Sequence, residues 1–113
     1  MVNGFERETH ELTDYELTMI EPMLKGLETK IGEENSITNK FINEGMKKAG
    51  FKTNPARIRK LINYIRVNGL IKNLISSSNG YWIEKDPGRI EIYIESLMQR
   101  SREIQRVAES FKK

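Results

Sequence analysis

The chain has no cysteine, which rules out disulfide bonds and thiolate metal centres. Its one histidine, His10, has no second soft ligand to share a metal with, so no metal site of the ordinary transition-metal kind is expected. Long apolar runs are missing as well. Nothing approaches the roughly 20 residues that cross a bilayer, and the opening MVNGFERETHE lacks the apolar core of a signal peptide. The expectation is a cytoplasmic protein without membrane association. No Ser or Thr stands with a histidine in a recognisable nucleophile motif, and no glycine-rich phosphate loop of standard spacing occurs. Glu33 and Glu34 fall in a loop after Gly32, and Asp14 with Glu16 is explained by helix capping. The chain therefore reads as a non-enzyme with no cofactor and no small-molecule substrate.

One further scarcity is local. From 45 to 83 there is no Asp or Glu, yet the same stretch holds Lys47, Lys48, Lys52, Arg57, Arg59, Lys60, Arg66 and Lys72. Ten of the sixteen acids precede it, in company with only Arg7, Lys25, Lys30 and Lys40. The net charge of +3 is ordinary; the sorting of charge is not. Clustered cations without internal counter-charge focus a positive field, and nucleic acid is the commonest polyanion to meet one. A solvated surface whose acids sit elsewhere has the same composition, so the placement of the bases decides.

At 113 residues, with 37% apolar and 31% charged side chains, the chain has the size and composition of one soluble domain. Residues 1–11 show no periodicity and are expected to fray as a flexible segment. Thr13 with Glu16 forms a capping box that opens a helix carrying Leu17, Ile20, Met23, Leu24, Leu27 and Ile31 on one stripe. Pro22 should kink or divide it near Glu21, and Gly32 should end it. Ser36-Ile37 reads as a short extended link. Thr38 caps a second helix with Phe41, Ile42, Met46 and Ala49 on one side and Gly50 at its stop. Asn54-Pro55 opens a third helix that runs to about Asn68 and closes at Gly69. Leu70 to Ile75 and Tyr81-Trp82-Ile83 read as two strands around a Ser76–Gly80 turn, with Asn79-Gly80 suited to positive φ. Asp86-Pro87 then opens a last helix reaching about Phe111.

This gives a mainly α fold with a small β-hairpin, in the element order of a winged helix-turn-helix domain (12–86) with a long C-terminal helix (87–113). The stretch Thr38 to Ile83 resembles a winged-helix core, its wing tipped by Ser77-Ser78-Asn79-Gly80. More narrowly, ITNKFINEGMKKAGFKTNPARIRKLINYIRVNGLI followed by SNGYWIEKDP resembles a family of small proteins encoded in phages and prophages. The resemblance extends from Leu12 onward. Its motifs are structural, so it implies a phage or prophage context and no particular activity.

On the third helix Ile58, Leu61, Ile62 and Ile65 share one arc, the expected core face. Ala56, Lys60, Asn63 and Val67 lie opposite, with Arg59 and Arg66 on one shoulder and Arg57 and Tyr64 on the other. In helix-turn-helix domains this helix enters the major groove, its N-terminal residues at the base edges. Ala56 would permit close approach, Arg59 and Lys60 would donate to guanine, and Asn63 would pair with adenine. Lys47, Lys48, Lys52 and Arg66 would hold phosphates. Arg57 on its shoulder of the helix, Lys72 at the base of the hairpin and Asn79 at its tip complete the candidate DNA-binding set. The competing explanation is that Arg and Lys, being good helix formers, merely fill an exposed face. Trp82 would stack on an unpaired base if exposed, although packing against a neighbouring helix is the favoured reading.

In the last helix Ile90, Leu97, Ile104 and Phe111 recur every seven residues, the spacing of paired helices, although Arg100 and Ser101 interrupt the intervening positions. These four are the candidate dimerisation residues. The combined expectation is a phage or prophage regulator of transcription, or a replication accessory factor, that binds double-stranded DNA as a homodimer. The rival is a protein-docking module acting through the last helix. A third reading is a single-strand binder that uses Trp82 and the basic groove.

Overall fold

The computed structural model describes residues 12–112. The expected flexible segment 1–11, with His10, lies outside them, as does Lys113. The chain is mainly helical with one two-stranded antiparallel sheet. Helix α1 (Asp14–Leu27) starts as a capping box: the Thr13 hydroxyl accepts the Glu16 amide at 3.1 Å, and Glu16 Oε1 accepts the Thr13 amide at 3.0 Å. Pro22 does not divide α1, which is continuous. Both Pro22 and Thr18, whose carbonyl loses its donor, are exposed, so water can take the place of the missing bond.

The helix ends at Leu27 rather than at Gly32. The chain beyond is drawn into pairing with the sheet: Ile83 donates its amide to the Lys30 carbonyl at 2.7 Å, and Gly32 donates to Ile83 at 2.9 Å. Ile31 therefore leaves the helical stripe and is exposed. The buried line of α1 is Glu16, Met19, Met23 and Leu27; Leu17 faces solvent.

After a 3₁₀ turn (Glu33–Asn35), α2 (Asn39–Lys48) is capped by the Thr38 hydroxyl on the Phe41 amide. Ile42 and Met46 pack inward with Asn43, whereas Phe41, expected on the packed side, is exposed. Helix α3 (Pro55–Val67) is capped by Asn54 Oδ1 on the Arg57 amide at 2.9 Å, with Pro55 at its first position. Ile58, Leu61, Ile62 and Ile65 are all buried, as their spacing requires.

The hairpin is shorter than expected. Leu70 to Asn73 form a turn, with Asn73 at φ 63°, and β1 (Leu74–Ser77) pairs with β2 (Gly80–Ile83) across the two residues Ser78 and Asn79. Leu74, Tyr81 and Ile83 join the helical core, which also contains Met19, Met23 and Leu27. Ile75 and Trp82 point from the opposite face, where α4 (Pro87–Ser110) begins; Ile92 and Tyr93 of that helix line a cavity with them. Ile37 bridges the outer side of β2, donating to Tyr81 at 3.0 Å and accepting from it at 2.8 Å.

Gly80 sits where this bridge closes. It has φ 119°, and a Cβ there would lie 2.7 Å from the Ile37 carbonyl oxygen. Gly80→Ala is therefore expected to lower stability by about 1–3 kcal/mol through backbone strain and displacement of Ile37. Gly26 lies in α1 with nothing within 4 Å of an added Cβ. Gly26→Ala should instead stabilise by about 0.5–1 kcal/mol, as a helical glycine replaced by alanine does. Denaturant midpoints that moved in the same direction for both variants would contradict this assignment.

Candidate nucleic-acid interface

The acid-free stretch becomes the end of α2, the turn after it, all of α3 and the hairpin. Lys47 and Lys48 occupy the last turn of α2, where cations complement the helix dipole, and both are exposed. Lys52 is exposed in the connecting turn. This turn is held from α1: the Lys52 amide donates to the Tyr15 hydroxyl at 2.6 Å, and the Tyr15 ring meets Phe51 edge-on at 6.2 Å. On α3, Ala56 and Arg59 are exposed near the N-terminus.

Arg57 and Lys60 are placed differently from the expectation, which put them on the outward side. Both reach back to Glu16, whose residue is 3% exposed. Arg57 Nε donates to Oε2 at 3.1 Å and Lys60 Nζ to Oε1 at 2.8 Å. Arg57 also donates through Nη1 to the Lys52 carbonyl at 2.7 Å and lies 5.6 Å from the centre of the Tyr15 ring. A carboxylate on the buried line of α1 thus clamps the first turns of α3. Burial alone would push the Glu16 carboxyl up. Hydrogen bonds from Lys60 and the Thr13 amide, the Lys60 charge and the Arg57 hydrogen bond outweigh it and hold the group below its ordinary value.

The other shoulder of α3 is occupied too. Arg66, expected on phosphate, donates from Nε to the Leu74 carbonyl at 3.1 Å and from Nη2 to the Tyr93 hydroxyl at 2.6 Å. Tyr93 in turn donates to the Ser76 carbonyl at 3.1 Å and accepts the Ser76 amide at 3.2 Å, which caps the free edge of β1. Asn63 is half-buried and lines a groove of about 400 Å³ between α3, β1 and α4. The groove also takes in Val67, Ile71, Ile90, Ile94 and Leu97. The structure thus brings together only part of the expected reading face. Lys47, Lys48, Lys52, Ala56 and Arg59 are exposed on the end of α2, the connecting turn and the start of α3, whereas Arg66 bonds α4 and Asn63 lines the groove beside it.

Lys72 and the tip residue Asn79 are exposed at the hairpin, the Asn79 amide held by Ser77 Oγ at 3.0 Å. Trp82 is 5% exposed, and its Nε1 donates to Glu84 at 3.0 Å, so its ring is not open to a base. That bond leads the causes that hold the Glu84 carboxyl below its usual value; burial opposes it, and the Asp86 amide and the Arg89 charge assist. Arg89 pairs with both Glu33 and Glu84, fastening the first turn of α4 to the body.

The four heptad positions of α4 separate. Ile90 is half-buried against the body, Leu97 is at the groove's far end, and Ile104 and Phe111 are 70% and 85% exposed. Among the described residues no group of His, Asp and Glu is arranged to hold a metal ion, and no helix is long and apolar enough to cross a membrane. No protein-family model matches the chain, and no curated protein or solved structure matches it either.

Glu16 could not be assigned from capping alone, because Thr13 explains its position without a further partner. The available signal was its place on one line with Met19, Met23 and Leu27, an acid where an apolar residue belongs. Because its carboxyl is held low, the stabilisation it gives is complete above the unfolded pKa of about 4.3 and is lost as pH falls through the folded value. Glu16→Gln should therefore lower stability by about 1–3 kcal/mol at pH 7, with the gap to the native chain narrowing at pH 3. Urea titrations at the two pH values check this; an equal gap at both would refute the ionic role.

Proposed function

We propose that this chain is a winged helix-turn-helix protein that binds duplex DNA with the N-terminal half of α3 and acts as a dimer, in a phage or prophage regulatory or replication setting. The winged-helix reading is supported by the order of the elements and by Ile37, which lies along β2 as a third extended segment between α1 and α2. The observation that carries the DNA reading is the set of exposed cations Lys47, Lys48, Lys52 and Arg59 around the α2–α3 turn. None of them forms an ion pair among the described residues.

In this reading Arg59 donates to guanine O6 and N7, Ala56 lets the backbone approach, and the three lysines contact phosphates. Arg57 and Lys60 are positioning residues, since they set the angle of α3 against α1 through Glu16. A docking module is the second reading, favoured by one specific observation: α4 carries Ile104, Val107 and Phe111 in the open.

Fluorescence anisotropy with generic duplex DNA over a salt series tests the first reading. Micromolar binding with a steep log–log salt dependence is expected. Lys52→Glu with Arg59→Glu should weaken it about ten- to hundredfold and flatten the salt slope by roughly one unit per lost phosphate contact, without loss of stability. Lys60 is a poor probe, because a glutamate there would face Glu16 and unfold the clamp. Absence of binding at low salt would overturn the DNA reading and leave the docking module.

A further inference from the structure

We propose that two copies of this chain pair through α4 in antiparallel orientation, the last two turns of each helix seated in the groove between α3 and α4 of the other. This rests on the dimer reading above and specifies its geometry. Each chain carries both halves of such a contact. At one end, Val67, Ile71, Ile94 and Leu97 form the apolar wall of a groove of about 400 Å³ that Asn63 and Arg66 also line. At the other, Ile104, Val107 and Phe111 leave the body uncovered.

The order of residues along α4 reads onto itself when reversed about Arg100 and Ser101. Laid antiparallel about that point, Ile90 comes level with Phe111 of the second copy, Ile94 with Val107, and Leu97 with Ile104. The three bare apolar side chains of the last two turns, Ile104, Val107 and Phe111, then each meet a groove residue, and Arg100 meets Ser101. A parallel pair does the opposite. It sets Arg100 beside its own copy, stacks the bare turns on one another and leaves both grooves open.

Charge favours the same orientation. In the first half of α4 the outward charges are Glu91 and Glu95, because Arg89 is engaged by Glu33 and Glu84. In the second half Arg100, Arg102, Arg106 and Lys112 outnumber Glu103 and Glu109. Antiparallel pairing lays the acidic half along the basic half, whereas parallel pairing lays like against like. An isologous contact of this kind is closed at two copies.

The absence of native cysteine makes orientation readable by disulfide trapping. Ser101→Cys lies next to the symmetry point and should cross-link whenever the two helices pair. Ile104→Cys should not cross-link with itself, because antiparallel pairing separates the two positions by about 10 Å along the axis, beyond the 4.4–6.8 Å Cα span of a disulfide. An equal mixture of Leu97→Cys protein and Ile104→Cys protein should give the mixed disulfide in preference to either self-disulfide, read by mass spectrometry. Ser101 and Ile104 are exposed, so these substitutions leave the core untouched. Self-linking of Ile104→Cys as readily as Ser101→Cys would overturn the antiparallel arrangement and leave the dimer reading intact. No cross-link at Ser101→Cys, together with a monomer mass in sedimentation, would overturn both.

Discussion

Two antiparallel strands of four residues each do not hold together in water unaided, and the rest of this molecule is arranged around giving them cover. One face of the hairpin, with Leu74, Tyr81 and Ile83, completes a core built by α1, α2 and α3. The other face, with Ile75 and Trp82, lies beneath the first turns of α4. Both edges are occupied as well. Ile37 runs along β2 through two backbone hydrogen bonds, and Tyr93 takes the donor and acceptor that Ser76 presents on the side of β1. Burial on two faces is what makes four consecutive residues of β2 apolar or small, and the Ile37 backbone along its edge, with a positive φ, is what puts strain on any side chain at Gly80.

The same arrangement decides how much of the positive charge is free. Docking α3 against α1 places Arg57 and Lys60 on a carboxylate that has left water, and docking α4 against β1 places Arg66 on Tyr93 and the Leu74 carbonyl. Buried charges persist only where partners and hydrogen bonds replace hydration. The half-buried cations of α3 are thus structural, and the exposed cations around its start remain available to a polyanion. A basic segment that appears uniform in sequence is in the folded molecule divided into a clamped flank, an anchored flank and an open end.

Much of this was legible in the sequence where the cause is local. The caps at Thr13, Thr38, Asn54 and Asp86 each involve a side chain and an amide two or three positions away, so a few residues suffice to identify them. The core face of α3 was legible for the same reason, since four branched side chains at helical spacing can only pack one way. The end of α1 was not, because Lys30 to Gly32 stop being helical in order to pair with Ile83, fifty residues on. Phe41 was misread as packed: its neighbours Ile42 and Met46 sit on the face that α2 turns toward the core, and no periodicity in ten residues separates that face from the next position.

The division is sharpest at the candidate site. By itself the sequence determined that four α-helices form among the described residues, where they start, that 45–83 carries cations and no acid, and that apolar residues recur every seven positions along α4. These follow from spacing, propensity and composition, each a property of neighbouring residues. Only the tertiary structure decided that Glu16 pairs with both Arg57 and Lys60, that Arg66 and Asn63 face α4, and that Trp82 is closed off while Ile104 and Phe111 are open. Hydration is the physical reason. Whether a charge or an aromatic ring is free depends on which distant surface has displaced its water, and that is settled only when the elements pack.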